Sequence, residues 1–506
     1  MTDTVMEPAA TPQVAGAAHP RGLYTLFFTE MWERFSYYGM RALLVLFMVD
    51  AVESGGLGFS DATATAIYGL YTAAVYLVAL PGGWIADRII GAQKAVWFGG
   101  IVIMTGHFVL AIPSVHSFFL GLVLVVLGTG LLKPNISAIV ADLYPEGGAR
   151  RDAGFTIFYM GINVGAALGP LVCSALGENF NWHYGFAAAG VGMFLGLIQF
   201  KMTAKHLGES GLKPIAHSKG ETIGPDVHRK HLRAVWISVA AIAVVVGLGL
   251  TGGITFDPVI MARWSTAVIL GMAGIYFAYM FLFAGLDRQE KERTFVILIL
   301  FLAVAVFWSG FEQAGSTLNL FASRYTDRVI EAFSYEVPAG WFQSFNAVFI
   351  IVFAPMFASF WVALARRNLD PSIPIKFALG LIILGLGFAV MIFAARLIAD
   401  GGLAAPTWLI TTYLLHTFGE LCISPVGLSS VTKLAPKRFV GQMMGIWFLG
   451  ASLGNLIAGL AAGRFNADAV DQMPDLYLQI VLITIGSGLV LLVFSRPIKK
   501  MIGDIK

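Results

Sequence analysis

Fourteen stretches of roughly twenty mostly apolar residues follow one another along the chain, each long enough to cross a bilayer as a helix. They fall near 24–50, 63–86, 94–112, 117–141, 154–176, 183–202, 233–252, 262–285, 294–322, 341–365, 375–398, 406–432, 439–463 and 475–495. The loops between them alternate in charge. Arg88 and Lys94, Arg150 and Arg151, Arg288, Lys291 and Arg293, Arg366 and Arg367, and Lys437 and Arg438 fall on one side, with Arg496, Lys499, Lys500 and Lys506 of the tail. Asp50, Glu53 and Asp61 of the first loop, and Asp468, Asp471 and Asp475 of the last, fall on the other. Lys and Arg gather on the cytoplasmic side of membrane proteins, so both termini are expected inside the cell.

The pattern divides at a polar linker, 204–232, that holds Lys219 and Glu221 among its charges. A polar tail (1–21) and a six-helix bundle (22–203) precede it. An inserted helix pair (233–290), a second six-helix bundle (291–498) and a short cytoplasmic tail (499–506) follow. Two six-helix halves with a midplane site between them are the layout of a major-facilitator transporter. The expected fold is therefore all-α integral membrane: two six-helix bundles plus two inserted helices, fourteen transmembrane helices in all. The inserted pair carries almost no intramembrane charge and reads as a peripheral scaffold.

Composition agrees with this class. The chain is 57% hydrophobic and 12% charged, with mean hydropathy +0.77, where soluble domains run at about 25% charged. A net charge of +3 is too small to suggest nucleic acid. Cys173 and Cys422 both lie in apolar segments, so no disulfide framework is implied. Residues 1–20 lack an apolar core and read as a tail, not a signal peptide. Walker A, H-E-x-x-H and paired C-x-x-C motifs are absent from the sequence. ATP, a metal or another cofactor is not expected, and neither is an enzyme.

The chemistry concentrates in the first stretch, FFTEMWERFSYYGMRALLVLFMV at 27–49. A charge at membrane depth costs about 2.5–3.5 kcal/mol on insertion scales and usually marks a transport path. At about 100° per residue, Glu30, Glu33, Arg34, Tyr37 and Arg41 share an arc of about 100°. Lys133, Glu312 and Glu420 add three more interior charges. Four acids and three bases leave one surplus negative charge, which a single proton cancels. If all seven share one cavity, it suits a zwitterion and titrates by about one proton. Glu30 with Arg34 is also consistent with a static i,i+4 pair, and Glu312 with Lys133 with a structural interhelix pair. Tyr37, Tyr38, Tyr71, Tyr76, Trp308, Phe311 and Trp447 surround the charges, as packing or as pocket walls. Asn163 and Asn346 are amides in apolar spans and need partners. Asp87 and Arg88, in GGWIADRIIGAQK (82–94), sit at the cytoplasmic end of the second span and read as a conformational latch. Pro134, Pro355 and Pro425 interrupt helices near interior polar groups.

The motif E-x-x-E-R-F-x-Y-Y-G stands complete as Glu30, Glu33, Arg34, Phe35, Tyr37, Tyr38 and Gly39. With GTGLLKPN (128–135), FYMGINVGA (158–166), WFQSFN (341–346) and GELCISPVG (419–427), the chain resembles the proton-dependent oligopeptide transporter family in its bacterial branch, over about residues 22–498. The inserted helices also match that branch. The resemblance implies roles by position. Arg34, Arg41 and Lys133 would hold a peptide's carboxylate. Asn163, Asn346 and Glu420 would hold its amine. Tyr37, Tyr71, Trp308 and Trp447 would wall the side-chain pocket. Glu30, Glu33 and Glu312 would couple protons, with Glu312 pairing with Lys133 or Arg41 as an outer gate. Some members use a histidine near the start of the second helix. This chain has none between His19 and His107, so carboxylates take that role here. His416 matches no family position and reads as packing.

The resemblance thus implies a monomeric symporter that imports di- and tripeptides with protons across a bacterial inner membrane by alternating access. It would be driven by the proton motive force, with lipids as its surroundings. The same fold moving nitrate or a drug-like molecule is the first rival, although Glu420 would repel an anion. A channel or membrane enzyme is the second; no nucleophile–base–metal set supports the enzyme, and the two-half layout suits alternating access better than a pore.

Overall fold

The computed structural model describes residues 18–214, 224–465 and 470–503. Residues 1–17 of the polar tail, 215–223 of the linker with Lys219 and Glu221, the loop residue Asp468, and 504–506 of the final tail with Lys506 lie outside the described residues.

Fourteen helices of 19 residues or more lie among the described residues, with two shorter ones. The first six are α1 (Arg21–Val49), α2 (Asp61–Ile85), α3 (Ala92–Leu110), α4 (Val115–Asp142), α5 (Gly148–Asn179) and α6 (Trp182–Thr203). Two follow the linker, α7 (Pro225–Leu250) and α8 (Pro258–Leu282). Then come α9 (Arg288–Phe311), the short α10 (Thr317–Tyr325), α11 (Ser344–Arg366), α12 (Ile373–Ala399), α13 (Pro406–Leu434), α14 (Val440–Ala462), α15 (Met473–Val493) and the short α16 (Ser495–Ile502). Polar residues at their starts take up free backbone N–H groups. Ser60 accepts from Thr63 N, Asn181 from His183 N, and Asp257 from Val259 N and Ile260 N. Asp287 and Glu290 form a reciprocal capping box at α9. Eleven spans are apolar and long enough to cross a membrane by length and composition. α1 misses that standard because Glu30, Glu33, Arg34 and Arg41 put at least three charges into every 18-residue window of it.

The packing partners repeat. In the first half α1 lies on α5 and α6, α3 on α4 and α6, and α2 on α4. In the second, α9 lies on α14, and α12 on α13 and α15. The halves meet along two matching seams, α2 with α14 and α5 with α11. α8 buries Ala262, Ile269, Ala273, Phe277 and Met280 and packs on α14 and α2, one helix from each half. α7 has no buried residue along its apolar window. It touches the bundle at its base, where His231 meets Trp84 edge to face at 5.0 Å.

Two glycine contacts set helix spacing. A Cβ on Gly82 of α2 would overlap the Gly130 carbonyl of α4. On the α2–α14 seam, a Cβ on Gly459 would lie 2.9 Å from Gly69 Cα. Small residues at these crossings bring the backbones into contact.

The structure departs from the sequence expectation in three places. The ninth stretch, 294–322, is not one helix. It breaks at a 3-10 turn, Glu312–Gly315, before α10 resumes. A two-stranded hairpin follows α10, β1 (Val329–Ile330) paired antiparallel with β2 (Tyr335–Glu336), where no element was foreseen. Asp87 and Arg88 lie not in a simple loop but in a π-helical turn, Ala86–Ile90, that continues α2. By contrast α4, α11 and α13 run through Pro134, Pro355 and Pro425 unbroken.

Gly82→Val is expected to push α2 off α4 and destabilise the fold by about 1–3 kcal/mol, the usual cost of overpacking. The check is a fall in the melting temperature of the detergent-purified protein; an unchanged value would show that the crossing tolerates a side chain.

Candidate functional site

α1 turns its charged face into the bundle. Glu30, Glu33, Arg34, Tyr37 and Arg41 are all buried, none more than 6% exposed. Arg34 Nε lies 3.1 Å from Glu30 Oε1 and also contacts the Glu33 carboxylate. Two carboxylates therefore share one guanidinium. Glu30 Oε2 and both Glu33 oxygens have no hydrogen-bond partner among the described residues. The cluster is electroneutral only with one proton bound. That shared pairing is richer than the static Glu30–Arg34 pair considered from spacing.

A second cluster joins the halves. Arg41 Nη2 lies 2.8 Å from Glu312 Oε2. Arg41 Nε donates to the Tyr68 hydroxyl at 2.6 Å, and that hydroxyl donates to Glu312 Oε2 at 3.3 Å. The triangle ties α1 and α2 of the first half to the 3-10 turn after α9. Glu312 itself still keeps the register of α9, its N–H reaching Trp308 O, and the turn opens just beyond it. Tyr68 was missed from the sequence. Its signal was its place on α2, eight residues before Tyr76 and so about 80° round the helix from it.

Between the halves these groups open onto a cavity. Arg34, Tyr37, Tyr38 and Arg41 of α1, Tyr76 of α2, Lys133 of α4, and Tyr159 and Asn163 of α5 line one side. Trp308, Phe311 and Glu312, Gln343 and Asn346, and Tyr413, His416 and Glu420 line the other. Lys133 does not pair with Glu312, the alternative left open by the sequence. Its Nζ sits 4.4 Å from the Tyr76 ring centroid, a cation–π contact. Across the cavity, Asn346 Nδ2 donates to Glu420 Oε2 and to Thr417 Oγ1, each at 3.0 Å. Asn163 spends its amide on its own helix, donating to Tyr159 O at 2.9 Å.

Five of the seven interior charges share this cavity: Arg34, Arg41, Lys133, Glu312 and Glu420. Glu30 and Glu33 sit behind Arg34 and do not line it, which corrects the single-cavity count. Of the four pocket-wall aromatics, Tyr37 and Trp308 reach the cavity. Tyr71 stacks behind Tyr37 with ring centroids 6.3 Å apart, and Trp447 packs against Phe377 and Gly427, so neither lines it. His416 packs between Phe388 and Phe311 and also lines the cavity. It stands one turn before Glu420 on α13, so the same helical face carries both into the cavity. Gln343 also reaches the cavity and was missed; it follows Trp341 in a segment whose 3-10 turn has no sequence periodicity to read. Asp87 is exposed and Arg88 half-buried on the π turn, away from the cavity lining.

One end of the bundle, the end opposite the termini and here called distal, is bolted shut across the halves. Arg324 of α10 makes a two-pronged pair with Asp61 of α2, at 2.7 and 2.8 Å. Glu178 of α5 accepts from Ala339 N at 2.6 Å and Gly340 N at 2.9 Å, at the turn leading into α11. Asn319 Nδ2 donates to Ala42 O, Ser344 Oγ to Ala167 O and Trp341 Nε1 to Leu171 O; halfway down the α2–α14 seam, Ser452 Oγ donates to Ala73 O.

A gated polar cavity between two repeated membrane bundles fits a transporter, and comparison with known proteins gives the lineage. The sequence model of the POT family matches residues 93–476. The chain belongs to the POT family. Four of the five motif blocks lie inside that match, and the E-x-x-E-R-F-x-Y-Y-G block of α1 precedes it. POT relatives align nearly end to end. The peptide transporter YePEPT of Yersinia enterocolitica subsp. palearctica is 42% identical, over 96% of each chain. A di-/tripeptide transporter of Lactococcus lactis subsp. cremoris is 36% identical, over 96% of this chain and 97% of its own. A crystal structure of a peptide transporter POT in complex with sulfate superposes with a TM-score of 0.88 at 41% identity, covering 97% of this chain and 98% of that one. A POT family transporter in complex with 5-aminolevulinic acid superposes at 0.84 and 34% identity, over 96% and 98%. POT proteins are multi-pass membrane transporters, not enzymes, and this chain shares their fold.

Arg324→Ala and Asp61→Ala are each expected to loosen the distal end, and the doubly swapped Asp61→Arg/Arg324→Asp to recover most of the loss. A double-mutant cycle on thermal stability should return a coupling of about 0.5–3 kcal/mol. Coupling near zero would mean that the pair does not hold the seam.

Proposed function

We propose that this protein is a proton-coupled symporter that imports di- and tripeptides across the bacterial inner membrane by alternating access. The observation that carries the reading is the sorting of charge across the cavity. Every basic lining residue (Arg34, Arg41, Lys133) comes from the first half, and both acidic ones (Glu312, Glu420) come from the second. A zwitterionic peptide lies naturally across such a gap. Its carboxylate meets Lys133 and the α1 arginines; its amine meets Glu420, which Asn346 orients, with Asn163 on the facing wall. Charge-assisted bonds to both ends fix the backbone whatever the side chains. The aromatic walls add contact area without demanding one shape. The names of the relatives, peptide and di-/tripeptide transporters, agree with this substrate class.

Protons enter at two places in this scheme. Glu30 and Glu33 share Arg34 and hold one proton between them. Glu312 releases Arg41, not Lys133, when it is protonated, and so loosens the bond between the halves. The proton gradient supplies the energy, and Asp87 and Arg88 serve a latch at the terminal end. The basic loops place the termini in the cytoplasm, which makes the distal end periplasmic and this conformation closed to the outside. The protein acts as a monomer in lipid.

Proteoliposomes holding the wild-type protein should accumulate labelled dialanine under an inward proton gradient and stop when the gradient collapses. Assorted di- and tripeptides should compete, and free alanine should not. Failure with folded protein would turn the search to other substrates on the same fold. Glu312→Gln should abolish gradient-driven accumulation while leaving counterflow exchange measurable; intact accumulation would remove Glu312 from the coupling scheme. Glu420→Gln should weaken N-acetylated peptides less than free ones, and equal losses would reject the amine contact.

A further inference from the structure

His416 lies at the distal, closed part of the cavity, one helical turn from Glu420, and is 1% exposed. Its ring sits between Phe388, with centroids 4.8 Å apart, and Phe311, at 6.3 Å. Neither ring nitrogen has a hydrogen-bond partner among the described residues. A buried polar group without a partner forgoes a bond that any suitable ligand atom can restore. The Cδ2–Nε2 edge is packed against α12, where a Cβ on Gly387 would meet those atoms at 2.6 and 2.8 Å. No α12 residue lines the cavity. The opposite edge, Nδ1 and Cε1, therefore points away from α12, and in this closed conformation its nitrogen is covered.

We propose that His416 is a specificity-determining residue. Its imidazole is the hydrogen-bonding partner for a polar side chain on the substrate's amine-terminal residue, so the cavity favours a first residue with a hydroxyl or amide over its apolar isostere. This rests on the peptide reading above, with the amine at Glu420. One helical turn is about 5.4 Å, which places His416 within reach of that residue's side chain and beyond the reach of its carboxylate. With Nε2 set against α12, Nδ1 is the nitrogen left to a ligand, an acceptor in one tautomer and a donor in the other, so it serves hydroxyl and amide alike. Apart from Thr417, which already accepts from Asn346 and donates to Tyr413 O, the neighbours in this corner are aromatic or spoken for. The Tyr413 hydroxyl donates to Ala314 O at 3.3 Å.

The test uses isosteric pairs as competitors of labelled dialanine uptake: Thr-Ala against Val-Ala, and Ala-Thr against Ala-Val. In the wild-type protein Thr-Ala should compete about 3- to 10-fold better than Val-Ala, the range of one net hydrogen bond, with no such gap for the second residue. His416→Leu should bring the Thr-Ala to Val-Ala ratio to about one, and His416→Asn, which keeps a donor and an acceptor, should restore part of it. A ratio that survives His416→Leu, or a wild-type gap at the second residue, overturns the proposal. A variant too slow to transport is read by ligand-induced melting shifts with the same four peptides. The peptide reading itself fails only if wild-type protein does not accumulate dialanine, an outcome separate from any change in the ratio.

Discussion

A charge inside a membrane must be paired, and in this protein the partner of Arg41 belongs to the other half of the molecule. That one constraint organises the centre of the structure. Taking two ions out of water costs several kcal/mol for each, and their attraction repays it only when the geometry is close and the remaining valences are filled. Here Glu312 approaches Arg41 to 2.8 Å and the Tyr68 hydroxyl bonds to both. Glu312 reaches it from the last position that keeps the register of α9, and the span then loosens into the 3-10 turn at Glu312–Gly315. The turn's freed backbone is partly satisfied by side chains; the Ala314 carbonyl accepts from Tyr413.

The distal bolts are of another kind. Several are bonds from a neutral side chain to a carbonyl of the opposite half, as Asn319 to Ala42 and Ser344 to Ala167. Such bonds have little dependence on pH and each is worth about 0.5–1.5 kcal/mol net. Together with the Gly69–Gly459 contact they make a closed end that is only moderately stable. A transporter needs that moderation, because a seam held too firmly would never open. The ionic pairs, Arg41–Glu312 within and Asp61–Arg324 at the rim, are the parts a ligand or a proton can address.

Much of this was legible in the sequence, for a physical reason. Length and hydropathy fix membrane helices strongly, because the bilayer leaves the backbone few alternatives. An intramembrane charge stands out against that background, so the residues of α1, Lys133, Glu312 and Glu420 could be read directly. What escaped reading lies where the signal is weak. Tyr68 and His416 are single polar-tipped residues in apolar helices, and such residues are more often packing than site. Trp447 and Tyr71 look like pocket walls by kind and by neighbourhood, yet their facing depends on helix rotation, which hydropathy does not report. The break at Glu312 carries no proline, and its glycines, Gly310 and Gly315, are unremarkable in a chain with 57 of them. The choice of Arg41 over Lys133 as partner of Glu312 is set by tertiary geometry, and spacing along the chain left both open.

Given a peptide substrate, the charge arithmetic at Arg41 yields coupling without a further device. A proton arriving alone on Glu312 leaves Arg41 buried and unpaired, a costly state. A substrate carboxylate arriving alone adds a negative charge beside an intact Arg41–Glu312 pair, and Lys133 is the nearest cation left to answer it. When both arrive, the carboxylate replaces Glu312 as the partner of the arginine, and Arg41 is again compensated. The halves are then joined by a ligand and no longer by a protein–protein ion pair. Each ligand makes the other's binding less costly, which is a coupling free energy between sites and is reciprocal by necessity. The same balance makes leakage of either one alone unfavourable. This follows from having three basic groups on one half and two acids facing them on the other.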